Sequence, residues 1–282
     1  MRLALRNRAF IFFSLVFPLG FLFLYLGLFA HSNPAAVPYL LASVVALTVM
    51  GSFWGLSVQL VLFREHGILR RFRLAPVGAG AMLISSILSN YILTLPTVLI
   101  EFILARYLFR MDSWGNLSGV FVFVSLGIVA FAALGLIVAS VTNTMQETQI
   151  INQLLWSCFL FLSGATLPLP LLPEWLQRIA LFLPATYLVA GLERVMVARA
   201  GLLTLGPEIL SLAMSATVAF LISQQLFRWE PEAKVARRAK FFAAAALIPF
   251  LLVGIWESAN NRLRNAAHID FLSIQQPSDD NR

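Results

Sequence analysis

Residues Leu117 to Val141 read LSGVFVFVSLGIVAFAALGLIVASV. The run contains no Asp, Glu, Lys, Arg or His. A hydrocarbon core about 30 Å thick takes about 20 apolar residues of helix, so this stretch is long enough to cross it. Runs of the same kind lie on either side. Upstream are Phe10–Phe29, Pro38–Phe63 and Ala81–Leu104. Downstream are Ile150–Leu167, Ile209–Phe227 and a shorter, alanine-rich run, Phe241–Trp256. Of the 282 residues, 60% are hydrophobic and 12% charged, with a mean hydropathy of +0.85. A soluble domain of this length would need more polar surface to cover its core. The composition excludes a soluble enzyme, a disordered chain and a coiled coil. It leaves an all-α fold: a polytopic helical membrane protein with six spans and a seventh C-terminal one.

The first run is longer than the 7–15 apolar residues typical of a signal peptide. His31 and Ser32 follow Ala30, which makes a poor cleavage site. A retained helix is expected. The seventh run rises about 24 Å as a helix, short of the core, and carries Pro249. It spans only with Ala239 and Ser258 drawn in; otherwise it is re-entrant. The expected divisions are a six-span domain over 1–228, a basic linker over 229–240, the seventh span over 241–256 and a polar tail over 257–282.

Twenty Lys and Arg face thirteen Asp and Glu, a net charge of +7. With a cytoplasmic N-terminus, three cytoplasmic segments hold most of the positive charge. They carry Arg2, Arg6 and Arg8, then Arg64, Arg70, Arg71 and Arg73, then Arg228, Lys234, Arg237, Arg238 and Lys240. The external loops hold Arg106, Arg110, Arg178, Arg194 and Arg199. Positive residues concentrate on the cytoplasmic side, so the N-terminus is placed inside. The stretch Arg228–Lys240, with five basic residues, reads as a stop signal, or as a contact for an ATPase or anionic lipid.

Chemistry-bearing patterns are few. There is no phosphate-binding GxxxxGK[ST] run and no HExxH. His31, His66 and His268 fall in separate segments, so no metal site is expected. Cys158 is the one cysteine, which excludes a disulfide framework; it is expected buried and inert. Glu101 is the one acidic residue inside a span. Five residues before Arg106, it reads as an interfacial carboxylate, with a proton relay as the alternative. The spans otherwise offer almost no charge, which points to a hydrophobic or amphipathic substrate (a drug, lipid or lipid-linked glycan) and an external energy source. Phe10, Phe12, Phe13, Phe17, Phe21 and Phe23 line a path or face lipid. Gly51 with Gly55, and Gly135 with Ala139, have small-residue spacings that suit helix packing within one subunit.

The turn after the second run reads Arg64-Glu65-His66-Gly67-Ile68-Leu69-Arg70-Arg71-Phe72-Arg73-Leu74-Ala75-Pro76. Ile68, Leu69 and Phe72 share one helical face and the arginines lie elsewhere, a short amphipathic helix ended by Pro76. Charge alone allows a lipid-headgroup anchor or a docking surface for a protein. A second patterned stretch runs Thr144-Met145-Gln146-Glu147-Thr148-Gln149, through Asn152, to Ser163-Gly164. It continues with Leu167-Pro168, Leu172-Pro173-Glu174-Trp175-Leu176 and Pro184-Ala185-Thr186-Tyr187, and ends at Arg194. Its prolines forbid one continuous helix. Two short helices are expected in or dipping into the outer leaflet. Trp175, Leu176 and Ile179 would share the apolar side of the first, opposite Gln177 and Arg178, with Trp175 and Tyr187 at the interface.

These two stretches resemble the ABC-2 type permeases, the membrane subunits of ATP-binding-cassette exporters, over roughly residues 1–228. The resemblance implies that Arg64, Glu65, Gly67, Leu69, Arg70, Arg71 and Pro76 belong to a coupling helix that docks on a separate ATPase subunit. It implies an outer gate or re-entrant cap containing Ser163, Gly164, Pro168, Pro173, Trp175, Pro184, Tyr187 and Arg194. The plain alternative for that segment is an interfacial hairpin. An amphipathic elbow over Met1–Phe10, and a homodimer or heterodimer with a second permease through spans one and five, are implied as well. ATP and Mg would be bound by the ATPase, with no cofactor on this chain, no catalytic residue and no nucleic-acid partner. The competing reading is a non-transporting scaffold or assembly factor that docks a cytoplasmic partner through residues 64–76. A secondary transporter would need paired polar breaks in its spans, which the sequence lacks.

Overall fold

The computed structural model describes residues 16–29, 36–69, 78–111, 113–227 and 248–260. Among them the chain is helical, without strands. The helices are α1 (Phe17–Phe29), α2 (Val37–Met50), α3 (Ser52–Glu65), α4 (Ala79–Tyr107), α5 (Leu117–Val141), α6 (Met145–Leu162), α7 (Glu174–Ala180), α8 (Pro184–Met196), α9 (Gly206–Leu226) and α10 (Ile248–Asn260). The α2–α3 pair, α4, α5 and the region over Leu202–Leu226 are each long and apolar enough to cross a membrane. The chain is a multi-pass membrane protein.

The central element is α5, the uncharged run of the sequence. It packs along α3 and α9, and touches α2, α4, α6 and α8. Small residues permit this. A Cβ on Gly135 would come within 2.9 Å of Phe53 Cα and 3.0 Å of the Phe53 carbonyl carbon, so the α3 backbone lies directly on α5. Gly127 leaves the same kind of room for Val49 and Leu188. The expected within-subunit packing is therefore present at Gly135, while Gly55 faces Asn90 of α4. The outer faces carry the large side chains that suit lipid, among them Ile84, Leu88, Leu99 and Ile103 on α4 and Phe121 on α5.

Span two is two helical pieces meeting at Gly51. That residue keeps right-handed helical angles (φ −55°, ψ −18°) and still donates its N–H to Leu47 O, so the path runs on. Span five differs from the expected Ile150–Leu167. It starts earlier, at Met145, and ends at Leu162, because Thr144 caps its start and the chain turns at Gly164 (φ +96°). With Gln146, Glu147, Gln149, Asn152 and Gln153, α6 is not among the helices apolar enough to cross by composition. Cys158 is half-buried rather than enclosed.

Four expectations change on burial. Glu101 is wholly enclosed and not interfacial; it faces Thr48 of α2. Tyr187 is also internal, with its hydroxyl donating to Leu181 O at 2.8 Å. Beyond Glu101, the interior holds Arg64, Glu193, Glu208 and Glu257, so it is not nearly free of charged residue types. The whole of α8 except Arg194 is buried against α2, α5 and α9, rather than lying in a leaflet. Of the seventh run, the structure describes Ile248–Asn260, packed on α9, with Gly254 against Phe182. At 13 residues it is about 20 Å long. The elbow, Arg70, Arg71, Pro76, the basic linker and the tail beyond Asn260 lie outside the described residues.

Candidate functional site

Two regions collect the residues singled out in the sequence. The first is the end of the bundle that carries Arg64. Helix α3 ends at Glu65, where Gly67 turns the chain in the left-handed region (φ +67°), a conformation that glycine adopts freely. Arg64, in the last turn of α3, points inward. Its guanidinium is 2% exposed by residue and donates to Ala139 O at 2.8 Å and Thr142 O at 2.7 Å. These are carbonyls of the last turn and C-cap of α5, which lack helical partners. Glu65 reaches the other way. Its Oε1 accepts the N–H of Met145, the first residue of α6, at 2.7 Å.

The pair is matched to the two helix ends electrostatically. A helix presents partial negative charge at its C-terminus and partial positive charge at its N-terminus. Arg64 supplies a cation to the first and Glu65 an anion to the second. The turn between them is tied by its own side chains. Thr144 accepts the Glu147 N–H at 3.2 Å, Glu147 Oε2 accepts the Asn143 N–H at 2.7 Å, and the Thr148 and Thr142 hydroxyls are 2.8 Å apart. The Thr144-x-x-Glu147 spacing is that of a capping box. Leu69 follows, helical like Ile68, and is buried with Leu56, Leu60, Leu83 and Ile87. Two adjacent residues of α3 thus hold the C-terminal end of α5 and the N-terminal end of α6 in one joint.

Further along α6, Asn152 pairs with Ser57 of α3, its Nδ2 donating to Ser57 Oγ at 2.8 Å. Around them sit Phe53, Trp54, Trp156 and Phe159 in edge and tilted contacts. Beside that contact α6 carries Gln146, Gln149, Gln153 and Ser157, none of them buried, and the face opposite Asn152 carries the exposed Ile150, Leu154 and Phe161.

The second region is the far end. Ser163 is buried at the C-cap of α6 and accepts the Ala165 N–H; Gly164 makes the turn. Pro168 opens a short 3-10 turn over Leu169–Leu171. Pro173 precedes α7, and its carbonyl accepts the N–H groups of Leu176 and Gln177. Helix α7 meets α8 at 93°, the form of a broken span or re-entrant loop. On α7, Trp175 and Ile179 face outward, whereas Gln177 is turned in and donates to Leu172 O at 2.8 Å. Leu176 packs inward with Leu169, Leu172 and Ala180, and Glu174 and Arg178 are exposed beside Trp175 and Ile179, so the expected apolar and polar sides are not kept. Pro184 starts α8 at a position that needs no N–H. Arg194, in its last turn, pairs with Glu208 at 2.8 Å and ties α8 to α9. Residues 163–194 are thus brought together, and the structure separates them from the joint at Arg64.

Sequence reasoning missed the Arg64 cap and the Ser57–Asn152 pair. It also missed a row of polar residues on α4, although their spacing was available. Among the described residues, no group of three or more His, Cys, Asp or Glu could hold a metal.

This arrangement is that of a membrane permease, and the chain belongs to the ABC-2 type transporter family, whose model matches residues 1–197. Among similar proteins is the linearmycin resistance permease protein LnrN of Bacillus subtilis, 26% identical over 53% of this chain and 38% of its own length. The probable doxorubicin resistance ABC transporter permease protein DrrC of Mycobacterium tuberculosis is 29% identical over 55% of this chain and 57% of its own. The putative transport permease YvfS of B. subtilis is 22% identical over 68% of this chain and 80% of its own. The matched part thus spans about half the length, or less, of the two resistance permeases.

Proposed function

We propose that this chain is the membrane subunit of an ATP-driven exporter, powered by a separate ATPase that binds ATP and Mg, with no catalysis of its own. The observation that carries the reading is the joint at Arg64 and Glu65. It makes the segment entering residues 67–76 continuous, through charged hydrogen bonds, with spans four and five. A partner pressing on that segment would move three spans at once. ATP-driven closure of two ATPase subunits is such a push, and it would favour an outward-open path. The basic end lies in the cytoplasm in this reading.

The unburied glutamines of α6, beside the exposed Ile150 and Leu154, support a second permease copy. Glutamine in a span faces protein or water, not lipid. Gln146, Gln149, Gln153 and Ser157 would therefore line a path enclosed by a homodimer or heterodimer. The helix pair at the far end would cap that path. The names of two relatives speak of resistance to linearmycin and doxorubicin. An amphipathic, drug-like or lipid-like cargo moved outward fits them and the apolar spans.

The experiment is co-expression with a candidate ATPase and reconstitution of the purified complex. Glu65→Arg places a cation at the α6 N-terminus, where it repels the helix dipole. The variant should assemble yet lose substrate-stimulated ATP hydrolysis. Undiminished stimulation would remove the joint from the coupling path.

A further inference from the structure

One face of α4 carries Ser86, Asn90, Thr94, Thr97 and Glu101, at spacings of four, four, three and four. One face of the α2–α3 span carries Gln59, Gly55, Ser52 and Thr48 at the complementary spacings. The two spans run antiparallel in contact. Their register is fixed at two points. Thr48 Oγ1 donates to Glu101 Oε1 at 2.5 Å, and a Cβ on Gly55 would lie 3.9 Å from Asn90 Oδ1. A polar seam therefore runs between spans two and three.

Burial changes along it. Gln59, Ser86 and Asn90, toward the Arg64 end, are partly exposed; Thr94, Thr97, Ser52, Thr48 and Glu101 are enclosed. Polar seams between helices commonly serve packing, with the groups bonded to one another. This one leaves three buried atoms over: Ser52 Oγ, Asn90 Nδ2 and Glu101 Oε2 have no hydrogen-bond partner. Buried polar atoms in native proteins are paired with protein, water or ligand. These three lie in one row, and the row ends on a carboxyl group.

A charge on Glu101 would find no counter-charge on the packed helices. α2 carries Tyr39 as its one titratable residue, α1 carries Tyr25, and α5 carries none. Arg64 and Glu65 of α3 are committed at the other end of the seam, and Glu208 of α9 is paired with Arg194. On α4 itself, Arg106 donates to Met111 O and lies over the Trp114 ring.

We propose that spans two and three enclose a hydrated crevice, open at the Arg64 end and closed by Glu101, that admits small monocations. The cation is a free ion or the ammonium head of an amphipath. An ammonium group supplies donors to Glu101 Oε2 and Ser52 Oγ, and the water around it accepts from Asn90 Nδ2. This goes beyond the exporter reading and does not depend on an ATPase.

The test is cysteine accessibility in membrane vesicles, on a Cys158→Ser background in mildly alkaline buffer. Gln59→Cys, Asn90→Cys and Thr97→Cys are treated with a cationic methanethiosulfonate reagent and its neutral analogue. Thr94→Cys probes the same depth if Thr97→Cys does not fold. All three positions should react, in falling order of rate, from the vesicle face that exposes the Arg64 end. Leu99→Cys, on the lipid face, should not. Glu101→Gln should lower the cationic-to-neutral rate ratio at Thr97→Cys by about tenfold, the effect of one charge a few ångströms away at intermediate dielectric. Protection by both methylammonium and dodecylammonium identifies a free-cation site; protection by the dodecyl compound alone identifies an amphipath head-group site. A reactive Gln59→Cys with inert deeper positions would mean a dry seam and overturn the proposal. An unchanged rate ratio, or no protection by either ammonium compound, would overturn the cation site.

Discussion

Arg64→Ala is expected to destabilise the protein more than any other single change in the turn after span two. The guanidinium makes two hydrogen bonds, to Ala139 O and Thr142 O, in a buried site. Its removal strips the last turn of α5 of its cap and its cation together. Leaving buried polar groups unsatisfied costs about 1–3 kcal/mol each, so a loss on the order of 2–4 kcal/mol is expected. Arg64→Lys keeps the charge but lacks the planar fork that reaches two carbonyls at once, and should fall between. Glu65→Gln keeps an acceptor for the Met145 N–H and should be mild. The measurement is thermal unfolding of the purified protein, with proteolysis across residues 142–144 as a local readout. A midpoint for Arg64→Ala equal to that of Glu65→Gln would show that the cap contributes little.

The contrast between Arg64 and the apolar runs shows what was readable in the sequence. The runs of α4, α5 and α9 follow from composition, because a hydrocarbon core demands long apolar helices and tolerates little else. Their ends were close, and the prolines at 168, 173 and 184 announced the broken segment. Arg64 was different. Its position at a span boundary, next to Arg70 and Arg71, made it look like one more cytoplasmic charge. Nothing local says that the packing of α3 on α5 puts Arg64 under the end of α5. Glu101 failed for a related reason. Its nearness to Arg106 suggested an interface, but the side of α4 on which it falls is set by packing against α2. The signal that could have corrected this was the row Asn90, Thr94, Thr97 and Glu101, four polar residues on one helical face. Helical spacing of polar residues inside an apolar run marks a face turned away from lipid, just as apolar spacing marks a core.

The other large effect concerns the contact that joins spans two and four. Gly135→Leu is expected to prevent assembly of the bundle. The atoms nearest a Cβ at this position are all backbone: the carbonyl oxygen, Cα and carbonyl carbon of Phe53. Side chains can rotate away from an intruder, whereas a helix backbone moves only as a body. The α3–α5 contact would have to open along its length. Phe53, Phe131 and Phe159 make edge-on ring contacts beside it and would lose their packing too. Overpacking costs about 1–3 kcal/mol where neighbours relax; here the neighbour is the main chain, so the upper part of that range is a minimum. Even Gly135→Ala should lower stability measurably. Gly27→Leu is the control: it lies in α1 with nothing within 4 Å of its Cβ position, so the same added side chain should be tolerated. Size-exclusion profiles and thermal midpoints of the three variants decide it. Gly135→Leu protein that elutes and melts like Gly27→Leu would mean that α3 and α5 do not approach this closely in the membrane. The joint at Arg64, which depends on the same approach one face further along, would then need another explanation.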